Sequence, residues 1–149
     1  MEKLTDRSRG FLENAQSLAA RKNNQFLAPE HLLKVLLDDK DGVCASLLQK
    51  AGANVEYIRK AVAEDVDKLP QVSGSSVQVS ASQNFMKVLD RAEEYAQKAG
   101  DSFVTVERLL QALLAEKSYG VDLHKLNEAV NDMRQGRVAN SASAEDTFE

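Results

Sequence analysis

Two histidines, one cysteine and a run of carboxylates are the residues of this chain best suited to chemistry. Neither His31 nor His124 has a second ligand at metal-binding spacing, and a metal site needs several donors together. Both read as structural, His31 as a partly exposed residue in the first turn of a helix. Cys44 lies in an apolar stretch with no basic neighbour to lower its pKa, so it reads as a small core residue and not a nucleophile. Asp38, Asp39 and Asp41 before Gly42 have the outline of a calcium loop. Leu37 and Leu48 stand where the first ligand and the bidentate Glu belong, which leaves a solvated loop. Neither GxxxxGK(S/T) nor GxGxxG is present, so no phosphate loop is expected to hold a nucleotide here. Hydrolysis would call for two carboxyls with separated pKa values in a cleft, and nothing in the sequence marks such a pair. The expectation is a non-catalytic module with no catalytic residue, no metal and no cofactor of its own.

Composition narrows the partners. The 149 residues are 43% hydrophobic, enough for one core. No run of 18 apolar residues is present, so no membrane span is expected. The opening residues lack the apolar run of a secretory signal. A lone cysteine cannot form an internal disulfide, and together these point to the cytoplasm. The net charge is −4 with both signs interspersed, Trp is absent and aromatics are 5%, which argues against nucleic acid. Seven glycines and two prolines leave little room for a turn-rich β fold, and the commonest residues are helix formers.

The elements that must position any site are therefore helices. Thr5 is a suitable N-cap for a first helix carrying Phe11, Leu12, Ala15, Leu18 and Ala19 at helical spacing. Pro29 suits the first position of a second helix, apolar on most sides through Leu32, Leu33, Leu36 and Leu37. Val43 to Lys50 reads as a short helix stopped by Gly52, and Asn54 can cap another that halts at Pro70. A linker without helical period follows. The spacing then predicts a long helix from about Ser82 to Ala99, with Phe85, Val88, Leu89, Ala92, Tyr95 and Ala96 on one face. Gly100 is a plausible C-cap. Thr105 and Asp122 can cap the last two helices.

The two halves are alike. Phe26–Leu33 lies over Phe103–Leu110 at an offset of 103 − 26 = 77, without a gap from Thr5/Ser82 to Leu37/Leu114. The identical pairs fall mostly on the apolar stripes, so the halves should fold alike. Later the offset becomes 120 − 52 = 68, because the second unit has no counterpart of the short helix around Cys44. The expectation is an all-α fold of two similar helical units packed about a pseudo-two-fold axis. Repeat one covers about 5–69, a linker 70–79 and repeat two about 80–136. Residues 137–149, polar and without a stripe, are expected to be a flexible linker.

Three stretches carry a resemblance: Thr5 to Phe11, Asn24 to Leu33, and Gly100 to Leu110. They resemble the double Clp repeat at the N-terminus of Clp-family AAA+ unfoldases, the Clp N-domain fold. Lys68 to Val72 and Met133 to Arg137 place the chain nearest the ClpB-type disaggregase branch. The resemblance implies a domain, 1–136, of a hexameric chaperone that threads unfolded or aggregated polypeptide with ATP and Mg bound elsewhere, alongside the DnaK chaperone system. It implies no enzyme activity here, no nucleic acid and no membrane. The alternative is an adaptor-docking domain of the ClpA or ClpC kind. An apolar groove bordered by the long helix of repeat two is expected to engage client, with Val88, Leu89 and Tyr95 as candidates. The resemblance further implies that Thr5, Asp101 and Glu107 couple the domain to substrate handling. As plain chemistry, Thr5 is a cap, Glu107 suits a helix first turn, and Asp101 satisfies a turn after Gly100.

Overall fold

Four helices begin at side chains that satisfy the orphaned N–H groups of a first turn. In a computed structural model describing residues 3–73 and 78–147, Thr5 accepts from Ser8 N–H at the start of α1 (Asp6–Arg21). Pro29 opens α2 (Pro29–Asp38), and α3 spans Val43–Lys50. Asn54 caps α4 (Val55–Asp67), Ser82 caps α5 (Gln83–Lys98) and Asp122 caps α7 (Leu123–Arg134). Thr105 precedes α6 (Val106–Glu116), but its hydroxyl makes no capping bond. The expected linker 70–79 includes residues 74–77, which lie outside the described residues.

The predicted repeat is reproduced in the element boundaries. Helices α1 and α5 begin 77 residues apart, as do α2 and α6, while α4 and α7 begin 68 apart. Helix α3 has no partner and packs against α7 and α6 of the other half. One apolar core joins the halves, with Leu32, Leu36, Leu37, Leu109, Leu110 and Leu114 wholly buried.

Two short parallel pairings, not expected from the sequence, stitch the halves together. Strand β1 (Phe26–Leu27) pairs with β2 (Ser80–Ala81), and Leu4 bridges Val104. The offset turns one pairing into the other, since 4 + 77 = 81 and 27 + 77 = 104. Thr5 N–H donates to Val104 O at 3.1 Å, and its mate Ser82 N–H donates to Leu27 O at 2.9 Å. Each half lends the residues before its first helix to the loop of the other. Two-residue strands offer too few alternating positions to register as a period.

Residues 137–147 are folded back onto the domain, where the sequence indicated a flexible linker. Ala139 is wholly buried, its carbonyl accepting from Ser102 N–H at 2.7 Å and Phe103 N–H at 3.1 Å. Ala142 O accepts from Asp6 N–H at 2.8 Å, and a 3-10 turn runs through Ala144–Thr147. The reason is that small residues fill gaps without a stripe, while the segment's oxygens serve N–H groups left open at helix starts. Within repeat one the chain leaving α4 docks in the same way, Val72 N–H donating to Asn23 O at 2.9 Å.

Candidate functional site

Asp101 and Glu107 are held by one arginine. Arg134, from the last turn of α7, donates through Nε to Glu107 at 2.5 Å. Its Nη1 and Nη2 reach the two oxygens of Asp101 at 2.9 and 2.5 Å. Arg108 adds a contact to Asp101 at 3.2 Å, and Ala139 N–H donates to Asp101 at 2.9 Å. All four side chains are buried. Burial alone would raise the Asp101 carboxyl, but the hydrogen bonds from Arg134 and Ala139 and the two arginine charges outweigh it and hold it below the ordinary range.

This placement corrects the reading of Asp101 as a turn residue and Glu107 as a dipole-compensating one. They are the anionic half of a buried ion-pair cluster, and removing a member of such a cluster costs more than the roughly 1 kcal/mol of a lost cap. Thr5 is a cap and is wholly buried; its hydroxyl donates to Ser8 Oγ at 3.0 Å, and Ser8 Oγ donates to Val104 O at 2.9 Å. Asp101 and Glu107 are thus brought together, and Thr5 adjoins the same loop through Val104.

Glu145 extends the cluster, and sequence reasoning missed it. Its Oε2 accepts from Val106 N–H at 2.8 Å, replacing the cap Thr105 does not supply. Burial pushes its carboxyl above the usual range. The mate of Val106 is Pro29, which has no N–H and needs no such partner. Arg134 was also missed. Its mate on α4 is Val66, a core residue, so an arginine at a core position of the repeat was the available signal.

The apolar candidates on α5 stand differently. Val88 and Leu89 are buried in the core and present no open surface, and Tyr95 is partly buried. The stripe is spent on packing against α6. An open groove of about 460 Å³ lies instead in the first half, between α1, the loop from α2 to α3, and the start of α6. Phe11, Leu36, Val43, Cys44 and Val106 line it, with Arg7, Asn14, Asp39 and Asp41 at its margin. Phe11 is the mate of Val88, so the groove occupies the symmetry-related face of the expected one. Cys44 is buried and burial drives its thiol far above the ordinary range, so it serves as groove wall.

The second half holds a smaller counterpart of about 170 Å³, lined by Pro29, Asn84, Leu113 and Glu116, the mates of Val106, Arg7, Leu36 and Asp39. Tyr119 stands in its wall, its hydroxyl donating to Asp65 at 2.6 Å and its ring 4.7 Å from Lys117 Nζ.

The histidines differ from each other. His124 is exposed and lies 3.0 Å from Glu128. His31 is wholly buried, not partly exposed as the sequence implied, because the loop 24–28 folds over it. Among the described residues no group of three or more His, Cys, Asp or Glu is arranged to hold a metal ion, and no helix is long and apolar enough to cross a membrane.

A four-helix unit and a three-helix unit, reciprocally stitched around one core with an open groove beside α1, define a helical double-repeat domain. The chain belongs to the Clp repeat (R) N-terminal domain family, whose match spans residues 3–129. Over its whole length it is 49% identical to the chaperone protein ClpB of Brucella suis biovar 1 (strain 1330) and 47% identical to that of Mesorhizobium japonicum. It spans 18% of the length of each. The Hsp104 N-terminal domain from Candida albicans has the same fold, with a TM-score of 0.84 at 23% identity, covering 96% of this chain and 99% of that one. The ClpV N-domain in complex with a VipB peptide matches with a TM-score of 0.70 at 19% identity, over 90% of this chain and 88% of that one.

Proposed function

We propose that this domain weakly engages unfolded or aggregated polypeptide and helps deliver it to a ring-shaped, ATP-driven disaggregase of which it is the N-terminal part. The observation that carries this reading is the open groove lined by the half-buried Phe11 and Val43 over the buried Leu36, Cys44 and Val106, and rimmed by polar groups. A cavity of this size falls within the roughly 300–1,000 Å³ of ligand sites, and an apolar floor with a polar margin suits exposed hydrophobic segments. The likeness to ClpB chaperones supports this reading, in which ATP and Mg would act in other domains and a parent hexamer and the DnaK system would be partners through them. Six domains on one ring would add avidity to a weak single contact. That ClpV's N-domain was solved with a peptide is in keeping with peptide capture by this fold.

The test is an NMR titration of the chain with an unfolded polypeptide and with the same polypeptide folded. Shift changes should gather at Phe11, Val43 and Val106 with the unfolded form only. Changes confined to Tyr95 and its neighbours on α5, or equal changes with the folded form, would overturn the assignment to this groove.

A further inference from the structure

Gly10 stands in the fifth position of α1, exposed, on the groove wall between Arg7 and Asn14. Glycine is the poorest helix former after proline, so its presence inside a helix calls for a reason. The backbone gives none, because Gly10 is not among the residues with positive φ. Packing gives none either, since a Cβ at this position would meet no atom within 4 Å. The mate of Gly10 on α5 is Lys87, an ordinary helix residue, in the half whose groove is narrowed by Tyr119. Glycine therefore sits where the groove is open and is absent where it is small.

The margin of the groove is also uneven in charge. Arg7 is paired with Asp146 at 2.9 Å. Asp39 and Asp41 are exposed, and neither has a cation within ion-pair distance among the described residues. The open charge on the rim is negative.

Resting on the reading of the groove as the client site, we propose that Gly10 is the point where the backbone of a bound, unstructured segment crosses α1. Glycine allows a second backbone to approach closer than any side chain would permit. The segment's apolar side chains enter between Phe11 and Val43, and its flank nearest Asp39 and Asp41 carries Lys or Arg.

The experiment compares the full chain with Gly10→Ala and Gly10→Leu. The probe is a short, fluorescently labelled, unstructured peptide rich in Leu and Phe with lysines at both ends. Thermal unfolding and fluorescence anisotropy are read on the same samples. Gly10→Ala should raise Tm by about 2–4 °C, because alanine favours the helix and narrows the unfolded ensemble. It should at the same time weaken peptide binding on the order of tenfold, and Gly10→Leu should weaken it further. Replacing the terminal lysines by glutamates should weaken binding to the wild type. Unchanged affinity in Gly10→Ala, or a lowered Tm showing that the fold itself needs the glycine, would overturn the role of Gly10 while leaving the groove assignment standing. A wild type that binds the peptide without shift changes at Phe11 and Val43, or does not bind it, would overturn the groove assignment and this inference with it.

Discussion

At the same place in its two halves this domain solves one problem with neutral groups and once with charges. In the first half Asn24 grips the chain leaving α4 through Pro70 O at 3.0 Å, and its Oδ1 lies 2.8 Å from His31 Nε2. His31 Nδ1 accepts from Ala28 N–H at 2.9 Å, so the proton sits on Nε2 and the ring is neutral. In the second half the mates are Asp101 and Arg108, and Asp101 grips the chain leaving α7 through Ala139 N–H. Replacing Val66 by Arg134 brings a second cation, and Glu107 balances it. In the neutral lock a lost bond strands a buried but uncharged group, at a cost of about 1–3 kcal/mol. The ionic lock binds three elements and the docked tail into one electrostatic unit, in which each charge depends on the others.

The largest expected effect breaks the ionic lock. Arg134→Ala leaves Glu107 without its partner and strips Asp101 of its closest cation; it should cost about 3–5 kcal/mol in urea unfolding. That is a substantial share of the roughly 5–15 kcal/mol of a typical domain. A loss under about 1 kcal/mol would mean the cluster is solvated and the contrast between the halves is superficial.

The second prediction separates the locks by pH. Burial lowers the pKa of His31 in the folded state, against the smaller opposing influence of the Ala28 bond. The unfolded chain then binds more protons, so the stability tied to a neutral His31 is complete above about pH 6.5 and falls as pH drops through and below that value. Asp101 is also lowered, but its unfolded reference is near 3.9, so its contribution declines only below about pH 4. Urea midpoints measured from pH 8 to pH 3 should fall in two windows, and His31→Gln should flatten the upper one alone. A His31→Gln profile parallel to that of the wild type between pH 7 and pH 5 would contradict this.

The smallest effect concerns the narrowed groove. Tyr119→Phe removes the hydroxyl bond to Asp65 and should cost about 0.5–1.5 kcal/mol, with the ring still in place. No change in stability would show that the bond is not maintained in solution.

Periodicity made the helices legible, and caps such as Thr5, Asn54 and Asp122 fixed their starts. The repeat offset, read from identical residues, located matching elements to the residue. What stayed hidden depends on three-dimensional neighbours. A buried arginine looks like a surface one in sequence, and only its mate Val66 gives it away. Ala139 and Ala144 have no stripe, so a docked tail resembles a free one. The stripe of α5 is core and not open surface, because a regular stripe signals burial, while the open face of α1 is marked by Phe11 and a glycine that the pattern does not require.

The reciprocal edges have a consequence for what a break in the chain would do. A surface in which each side presents the other with the same elements is the geometry of an isologous dimer, here enclosed in a single polypeptide. The short connection between the halves acts chiefly by keeping them at a high effective concentration. A protease nick within it would leave a heterodimer held by the shared core, and the two fragments would part only on dilution.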